Sequence, residues 1–472
     1  MQSWAAEELK HVELKDARLN KRLVKMVEDL SSKPESSVPQ ACETWAATKG
    51  AYNFWGNPRV TRQAILKAHQ ESTIERIEAE RDKGHDTVIN IQDTTDINLT
   101  HHPKTRGLGP IDQSSNMGMK VHSSLVVSQE GVPQGLIHQE VWVRDSEDKG
   151  KKHKRKKLET KDKESQRWLS TLKESQEAIP EDVKVITVAD READIYDLFA
   201  MERREGSELL IRVVQNRRVD CEGETKFLWD AIRESPVLGE VTVELGRKGG
   251  HPPRKAHLII RAARVSILPP KNRSGSKKLP SIPVSLILAE EYGAPEGVVP
   301  VCWLLLATFV VQTFQEVMEC VKYYSYRWLI ERYHFVLKSG CGIEELQLEA
   351  ADNVQGALGT YCIVSWRLLW LTYEARLHPD SPCDRVLQTH EWKSLYCTIH
   401  KTSVAPIVPP SLHDAVLWIA KLGGFLGRKS DGEPGVKTIW RGLRRLDDIS
   451  SSWKLFRNTG ENYLTNRRKV GL

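Results

Sequence analysis

The chain has 472 residues, 40% hydrophobic and 28% charged, a composition that fits a folded soluble protein and excludes a largely disordered one. Lys and Arg number 69 against 63 Asp and Glu, so the net charge of +6 does not by itself indicate a polyanionic partner. The eight cysteines include no Cys-x-x-Cys pair, which argues against a zinc finger and leaves free thiols in a reducing cytosol as the expectation.

The first residues, MQSWAAEELKHVELK, lack the apolar core of a signal peptide. The longest apolar run, PVCWLLLATFVV, is too short to cross a bilayer. We therefore expect a cytoplasmic protein without a membrane partner.

Residues 1–70 are predicted to be helical. In DARLNKRLVKMVEDL, aliphatic residues recur at helical spacing with basic residues between them. Further on, ETWAATKGAYNFWGNPRV places Lys49 and Asn53 beside aromatic residues. A basic helical layer suits contact with a DNA backbone, although a plain solvated helix explains the same pattern.

Residues 71–374 are predicted to form an α/β unit with a mixed sheet. Three β-branched runs (DTVINIQ, MKVHSSLVVSQ and QGLIHQEVWVR) precede a helix, a fourth run, a short helix and a fifth run. Four short strands (GEVTVEL, AHLIIRAARVSIL, IPVSLILAEE and VCWLLLATF) separated by Gly/Pro-rich basic turns then predict an antiparallel β insertion at about 220–312. The remaining residues, 375–472, are predicted to be helical with Pro and Gly breaks.

A basic run, KGKKHKRKK, occupies residues 149–157 directly after a predicted strand. It could lie against a phosphate backbone or mimic a nuclear-localisation signal. A solvated loop explains it as well, so its role stays open.

Two aspartates close apolar strands, Asp93 in VINIQD and Asp190 in VITVAD. The carboxyl ends of strands in α/β sheets are where ligands usually bind, so both side chains are candidates for chemistry. Taken singly, each is better explained as a cap of a turn or helix.

The segment KYYSYRWLIERYHFVLKSG predicts one long helix. At roughly 100° per residue, Tyr324, Arg327, Glu331 and Lys338 lie within about 60° of one another. One stripe therefore presents a phenol, a guanidinium, a carboxylate and an ammonium. A solvated salt-bridge face is the competing explanation, because Arg327 and Glu331 form an ordinary i, i+4 pair. Against it, the stripe includes Tyr324 and belongs to an aromatic-rich, mostly apolar helix that should be largely packed.

A competing interpretation is a di-iron ligand pattern, Glu331-x-x-His334, with Glu8-x-x-His11 as its second copy. Nothing in the N-terminal region predicts the four-helix bundle that such a site needs, so we disfavour it.

Together, Asp93, Asp190 and Glu331 supply three hard oxygen donors, which suit Mg²⁺ or Mn²⁺ better than Zn²⁺. Two such ions activate an attacking oxygen and stabilise a leaving one. With Arg327 and Lys338 to hold phosphates, this donor set indicates phosphodiester chemistry.

The order of the predicted elements resembles the RNase H-like fold of DDE transposases. Tyr324, Arg327, Glu331 and Lys338 match the Tyr-x2-Arg-x3-Glu-x6-Lys (YREK) signature of bacterial cut-and-paste insertion-sequence transposases. QDTTD, DREADI, HSSLVV and IAKLGGF are also similar to segments of that group. The resemblance covers nearly the whole chain.

The resemblance implies roles for particular residues. Asp93, Asp190 and Glu331 would bind two Mg²⁺ ions, for which Mn²⁺ can substitute. Trp303 would fill the gap left by a flipped base, unless it is a core aromatic of its strand. The remaining residues implied or predicted to contact DNA are Tyr324, Arg327, Lys338, Arg212, Lys49 and Asn53.

The predicted function is metal-dependent cut-and-paste transposition, with end nicking, hairpin formation and strand transfer. The partners implied are double-stranded DNA, both terminal inverted repeats and target, and a second copy of the chain in a synaptic complex. The N-terminal helices would recognise the ends and the C-terminal helices would pair the subunits. The alternatives are a nuclease of the same fold and a non-catalytic DNA-binding inhibitor.

Overall fold

A computed structural model describes residues 3–112, 115–145, 163–245, 254–271, 279–429 and 431–469, with side chains described as far as residue 456. The expected fold class is confirmed, because one mixed sheet of mostly antiparallel strands is accompanied by helical N-terminal and C-terminal regions. The basic run at 149–157 lies outside the described residues, so its role stays a prediction.

The α-helices in chain order are α1 Trp4–Glu8, α2 Ala17–Ser32, α3 Val38–Cys42, α4 Trp45–Trp55, α5 Arg62–Arg81, α6 Gln166–Ala178, α7 Tyr196–Ala200, α8 Leu228–Glu234, α9 Phe314–Ser325, α10 Trp328–Phe335, α11 Ala351–Leu377, α12 Thr389–His400, α13 Leu412–Leu422 and α14 Val436–Lys469. The strands are β1 Thr87–Asn98, β2 Gly109–Pro110, β3 Met117–Ser128, β4 Pro133–Trp142, β5 Lys184–Ala189, β6 Ser207–Arg212, β7 Arg218–Cys221, β8 Glu224–Phe227, β9 Val237–Leu245, β10 Arg254–Ile267, β11 Ile282–Tyr292 and β12 Cys302–Ala307. Among the described helices, none is both long enough and apolar enough to cross a membrane.

The strands of the described residues form a single sheet with the order β2-β3-β1-β5-β6-β12-β11-β10-β7-β8, in which β4 also pairs with β3 and β9 with β10. The pairs β1–β5 and β5–β6 are parallel, and the other pairs are antiparallel. The five runs predicted as strands ahead of the insertion are β1, β3, β4, β5 and β6. Strand β5 is buried after its first residue, which explains its continuous apolar sequence.

The β insertion is antiparallel, as expected, and it extends the central sheet. Strand β12 returns to pair with β6, so that Leu305 lies opposite Arg212. The sequence analysis identified β9 to β12 but missed the short β7–β8 hairpin and helix α8. These elements are short, at four residues for each strand and seven for the helix, and the hairpin pairs with β10 at Val219 and Asp220.

The segment expected to be one long helix is instead interrupted twice. The amides of Tyr326 and Arg327 bond three residues back, and the Tyr326 hydroxyl donates to the carbonyl of Gln129 at 3.0 Å. This tertiary hydrogen bond holds the break between α9 and α10. A π-helical turn, Val336–Gly340, then ends the segment, where a Cβ on Gly340 would lie 2.8 Å from the Trp440 ring.

Helix α11 connects the N-terminal, central and C-terminal parts of the molecule. It is apolar around most of its circumference, as expected of a helix buried on nearly all sides. The Trp55 indole of α4 donates to Thr360 at 3.2 Å, and Trp366 donates to the carbonyl of Pro133 in β4 at 3.0 Å. The predicted domain boundary at residue 374 falls inside this helix, and the one at residue 70 falls inside α5; both remain predictions.

Because Leu305 is fully buried between β6 and β11, Leu305→Ala should lower the free energy of unfolding by about 2–5 kcal/mol. The measurement is the thermal unfolding midpoint by circular dichroism. Val299→Ala, at a side chain 88% exposed, is the matched control and should leave the midpoint unchanged. Equal midpoints for both variants would contradict the assignment of β12 to the central sheet.

Candidate active site

The two aspartates are placed by the parallel pairing of β1 with β5. This pairing ends at Gln92 opposite Ala189, so Asp93 and Asp190 are the next residues on the two neighbouring strands. Two residues before Gln92, Asn90 lies opposite Thr187 and donates to its hydroxyl at 3.3 Å. Because both partners are buried, a slip of one residue would leave polar groups unsatisfied, and the register is therefore well specified.

The expectation that Asp93 ends its strand is wrong. Strand β1 continues to Asn98 because its other edge remains paired with β3, where Asp93 lies opposite Ser123. The parallel ladder with β5 is what ends next to Asp93, at Gln92. Asp190 does follow the end of its strand, and its Oδ1 accepts from the amide of Glu192 at 2.9 Å at the start of a short 3₁₀ helix.

Glu331 lies in the first turn of α10, and its carboxylate accepts from Arg327 Nη2 at 2.6 Å. The guanidinium is mostly buried and also lies 5.3 Å from the centre of the Trp328 ring. The i, i+4 ion pair that the sequence suggested is therefore present in the structure, and one carboxylate oxygen of Glu331 already accepts from Arg327.

Electrostatics connects the three acids. Burial, and then the nearby charges of Asp190 and Glu331, together raise the pKa of Asp93 to about 7, against the opposing effects of the Thr94 amide and Arg327. Both other carboxylates thus disfavour the charged form of Asp93. Like charges near a buried carboxyl have this effect in the absence of a cation.

The donor chemistry of these acids fits Mg²⁺ or Mn²⁺, because all three are carboxylates. Within the part of the chain that the structure describes, however, no three His, Cys, Asp or Glu side chains are already arranged to hold a metal ion. The oxygens instead accept from Thr94, Glu192 and Arg327.

An open cavity of about 420 Å³ lies over two of the acids, Asp93 and Glu331, and over Lys338. Asp190 is not part of its lining. Lys338 Nζ lies 3.4 Å from Glu344 Oε1, and that same oxygen accepts from the amide of Asn98 at 2.7 Å. The Lys338 ammonium that lines the cavity is therefore already paired with a carboxylate of the protein, that of Glu344.

The four residues of the expected stripe occupy four different local structures. Tyr324 belongs to α9, Arg327 to the break, Glu331 to α10 and Lys338 to the π-helical turn. Tyr324 is 4% exposed, so the competing explanation of a solvated face does not hold for this residue. Burial also raises the pKa of its phenol.

Tyr324 belongs to a second group of predicted residues. Its ring lies edge-on to Trp303, with the centroids 6.0 Å apart, and Arg212 is close enough to counteract part of the rise in its pKa. Arg212 also donates to the carbonyl of Cys302 at 3.0 Å. Trp303 is half-buried against the main core, which is compatible with both roles proposed for it.

The other two predicted residues, Lys49 and Asn53, lie on the exposed face of α4 and do not line the cavity. Glu8 and His11, the second copy of the disfavoured di-iron pattern, likewise do not line the cavity and pair with other residues. Glu8 accepts from His69 at 2.5 Å and Arg76 at 2.7 Å, and His11 lies 2.8 Å from Glu75.

Sequence reasoning missed three residues around the acids. Arg167 donates to Thr94 at 2.9 Å and to Glu192 at 2.5 Å, so it connects the segments that follow the two aspartates. Glu344 forms an ion pair with Lys338. In the sequence, the only indication of this pair is an acidic residue six positions after the lysine. His334 was weighed only as an iron ligand; its Nδ1 lies 3.9 Å from Asp93 Oδ2. No sequence pattern indicates Arg167.

Two protein-family models match the ends of the chain. The model described as Transposase DNA-binding matches residues 1–60, which contain α1 to α4. The model described as Transposase Tn5 dimerisation domain matches residues 363–461, from within α11 into α14. These two matches support a transposase, a class of DNA-processing protein, and the α/β sheet between the matched regions is consistent with that class.

More particularly, the matched regions support a Tn5-like transposase, with DNA and a second copy of the chain as partners.

The raised pKa of Asp93 predicts a pH dependence of the metal-free protein. Between its ordinary value of 3.8 and about 7, the folded state holds a proton that the unfolded chain lacks. The stability contributed by this group is therefore full below 3.8 and is lost as the pH rises through 7. In EDTA, Asp93→Asn should raise the unfolding midpoint above wild type at pH 8, and less at pH 5.

The control for this experiment is Glu296→Gln, which removes an exposed carboxylate outside the cavity lining. A stabilisation by Asp93→Asn that is the same at both pH values would show that Asp93 does not carry the proposed repulsion.

Proposed function

We propose that this chain is a YREK-type DDE transposase that moves DNA by metal-dependent cut-and-paste. The observation that carries the proposal is geometric: the β1–β5 register sets Asp93 beside Asp190, and Asp93, Glu331 and Lys338 line one open cavity. Carboxylates beside an arginine and a lysine are suited to divalent cations and phosphate oxygens. The two family matches support DNA as the partner on which this chemistry would act.

In this proposal Asp93, Asp190 and Glu331 hold two Mg²⁺ ions, which Mn²⁺ can replace. When bound, the ions supply an activated oxygen nucleophile and charge for the leaving oxygen. Glu331 would exchange Arg327 for a cation, and Arg327 would then be free to bind a phosphate. Lys338 would likewise exchange Glu344 for a phosphate oxygen.

The proposed order of reaction is nicking by water, attack of the freed 3′-OH on the opposite strand to form a hairpin, hairpin opening, and attack of the 3′-OH on target DNA. Trp303 next to Tyr324 offers an aromatic surface for a base displaced during hairpin formation. Two subunits, each with its α1–α4 region on a terminal inverted repeat, would form the synaptic complex.

Asp93→Asn, Asp190→Asn and Glu331→Gln should each reduce Mg²⁺-dependent cleavage of inverted-repeat DNA by roughly 10³-fold or more, because each removes a cation ligand. Binding of the same DNA in EDTA should be retained, since no variant adds a negative charge. The measurements are a cleavage time course and a gel shift on one duplex.

Glu296→Gln serves as the active control in the same assay. Full activity in all three site variants would refute the site assignment. Cleavage without joined products would indicate a nuclease, and end binding without any cleavage would indicate a DNA-binding inhibitor.

A further inference from the structure

Two backbone amides hold the carboxylates of the two strand aspartates. The amide of Thr94 donates to Asp93 Oδ1 at 2.8 Å, and the amide of Glu192 donates to Asp190 Oδ1 at 2.9 Å. Each aspartate therefore has one oxygen held by the segment that follows it. The orientation of the two carboxylates depends on where these two segments lie relative to each other.

One arginine side chain bridges the same two residues. Arg167, in the first turn of α6, donates from Nε to Thr94 Oγ1 at 2.9 Å and from Nη2 to Glu192 Oε2 at 2.5 Å. Its third nitrogen, Nη1, donates to the carbonyl of Glu164 at 2.9 Å. All three guanidinium nitrogens are therefore used, and two of them contact the residues whose amides hold the aspartates.

The arginine is itself held in place. Its side chain is 12% exposed, and the guanidinium lies 5.3 Å from the centre of the Trp168 ring and 5.6 Å from that of Trp142. An arginine packed on two indoles has few conformations, so it loses little freedom in forming the bridge. The Thr94 hydroxyl, which accepts from Arg167, also lies 2.8 Å from Nδ1 of the buried His122. The Thr94 end of the bridge is therefore fixed on both sides.

We propose that Arg167 is a positioning residue that sets the separation and orientation of Asp93 and Asp190 for divalent cations. The inference rests on the proposed function, in which these two acids are cation ligands. The bridge does not include Glu331, whose carboxylate is paired with Arg327. Removing a group that hydrogen-bonds a metal ligand commonly weakens metal binding by about 10- to 100-fold. Arg167 acts one step further out, so we expect the lower end of this range.

The sign of the effect separates positioning from charge. Burial lowers the pKa of the Arg167 guanidinium, and the charges of Glu192 and Asp190 are among those that oppose the fall, so the guanidinium is within electrostatic range of Asp190. A positive charge near a cation ligand repels the cation, so removal of the charge alone should strengthen cation binding. Loss of the bridge should instead weaken it, because the two carboxylates are no longer held at a fixed separation.

The test measures Mn²⁺ binding to the full-length protein without DNA by electron paramagnetic resonance, in which the signal of free Mn²⁺ falls as the ion binds. Asp93→Asn defines the background, since it lacks one of the proposed ligands. Arg167→Gln should raise the Kd for Mn²⁺ about tenfold. In the cleavage assay, the Mg²⁺ concentration that gives the half-maximal rate should rise by a similar factor, whereas the rate at saturating Mg²⁺ should fall much less.

Two further variants test the bridge itself. Arg167→Lys keeps the charge but replaces the planar fork by a single nitrogen, so it should weaken Mn²⁺ binding as Arg167→Gln does. Glu192→Gln changes a side chain that is 63% exposed and keeps the amide that holds Asp190, so the protein should fold and show a smaller loss. Combined with Arg167→Gln it should add no further loss, because both changes remove the same contact.

Arg204→Gln is the matched structural control. Arg204 donates to the carbonyl of Gln176, near the other end of α6, at 2.9 Å and to that of Val183, just before β5, at 2.8 Å. These contacts secure the same helix and the start of β5, at the end of that strand opposite to Asp190. Arg204→Gln should therefore lower the thermal unfolding midpoint and leave the Mn²⁺ affinity unchanged.

An unchanged or tighter Mn²⁺ affinity in Arg167→Gln, full affinity in Arg167→Lys, or additive losses in the double variant would each overturn the inference. An equal loss in Arg204→Gln would overturn it too, because it would assign the effect to general destabilisation. If wild type binds no more Mn²⁺ than Asp93→Asn, the proposed cation site fails instead. Failure of the inference and failure of the proposed function are therefore distinguishable.

Discussion

The parallel pairing of β1 with β5 is the constraint on which the site depends. It sets Asp93 beside Asp190, and the buried Asn90–Thr187 hydrogen bond makes the register costly to change. Placing two carboxylates side by side at a sheet edge is electrostatically unfavourable, and the packing of β1 and β5 offsets this cost. Glu331 joins them only because α10 packs against β1, which brings the helix and the strand together from distant parts of the chain.

Every charged group around the cavity already has a partner within the protein. Arg327 neutralises Glu331, Glu344 neutralises Lys338, and the Thr94 amide binds Asp93. Substrate and cations would therefore enter by exchanging partners. An exchange of this kind replaces one set of charge pairs with another, so it costs less than exposing unpaired buried charges.

The three parts of the molecule meet on α11. Its buried faces contact α2 and α4 from the region matched by the DNA-binding model, α5, β4 from the sheet, and the C-terminal helices. A rigid common helix fixes the orientation of α4 relative to the sheet that carries the acids. This arrangement suits a protein in which recognition of a DNA end and chemistry on that end occur at separate sites.

The sequence by itself determined the strands β1, β3, β4, β5, β6 and β9 to β12, because their β-branched composition is local, and it identified the three acids and the YREK spacing. Only the tertiary structure decided that β1 continues past Asp93, that the helix breaks at Tyr326, and that Tyr324 is buried beside Trp303. It alone also revealed Arg167 and the role of Glu344. Each of these features depends on a contact between residues far apart in the chain, and periodicity, a local property, does not encode such contacts.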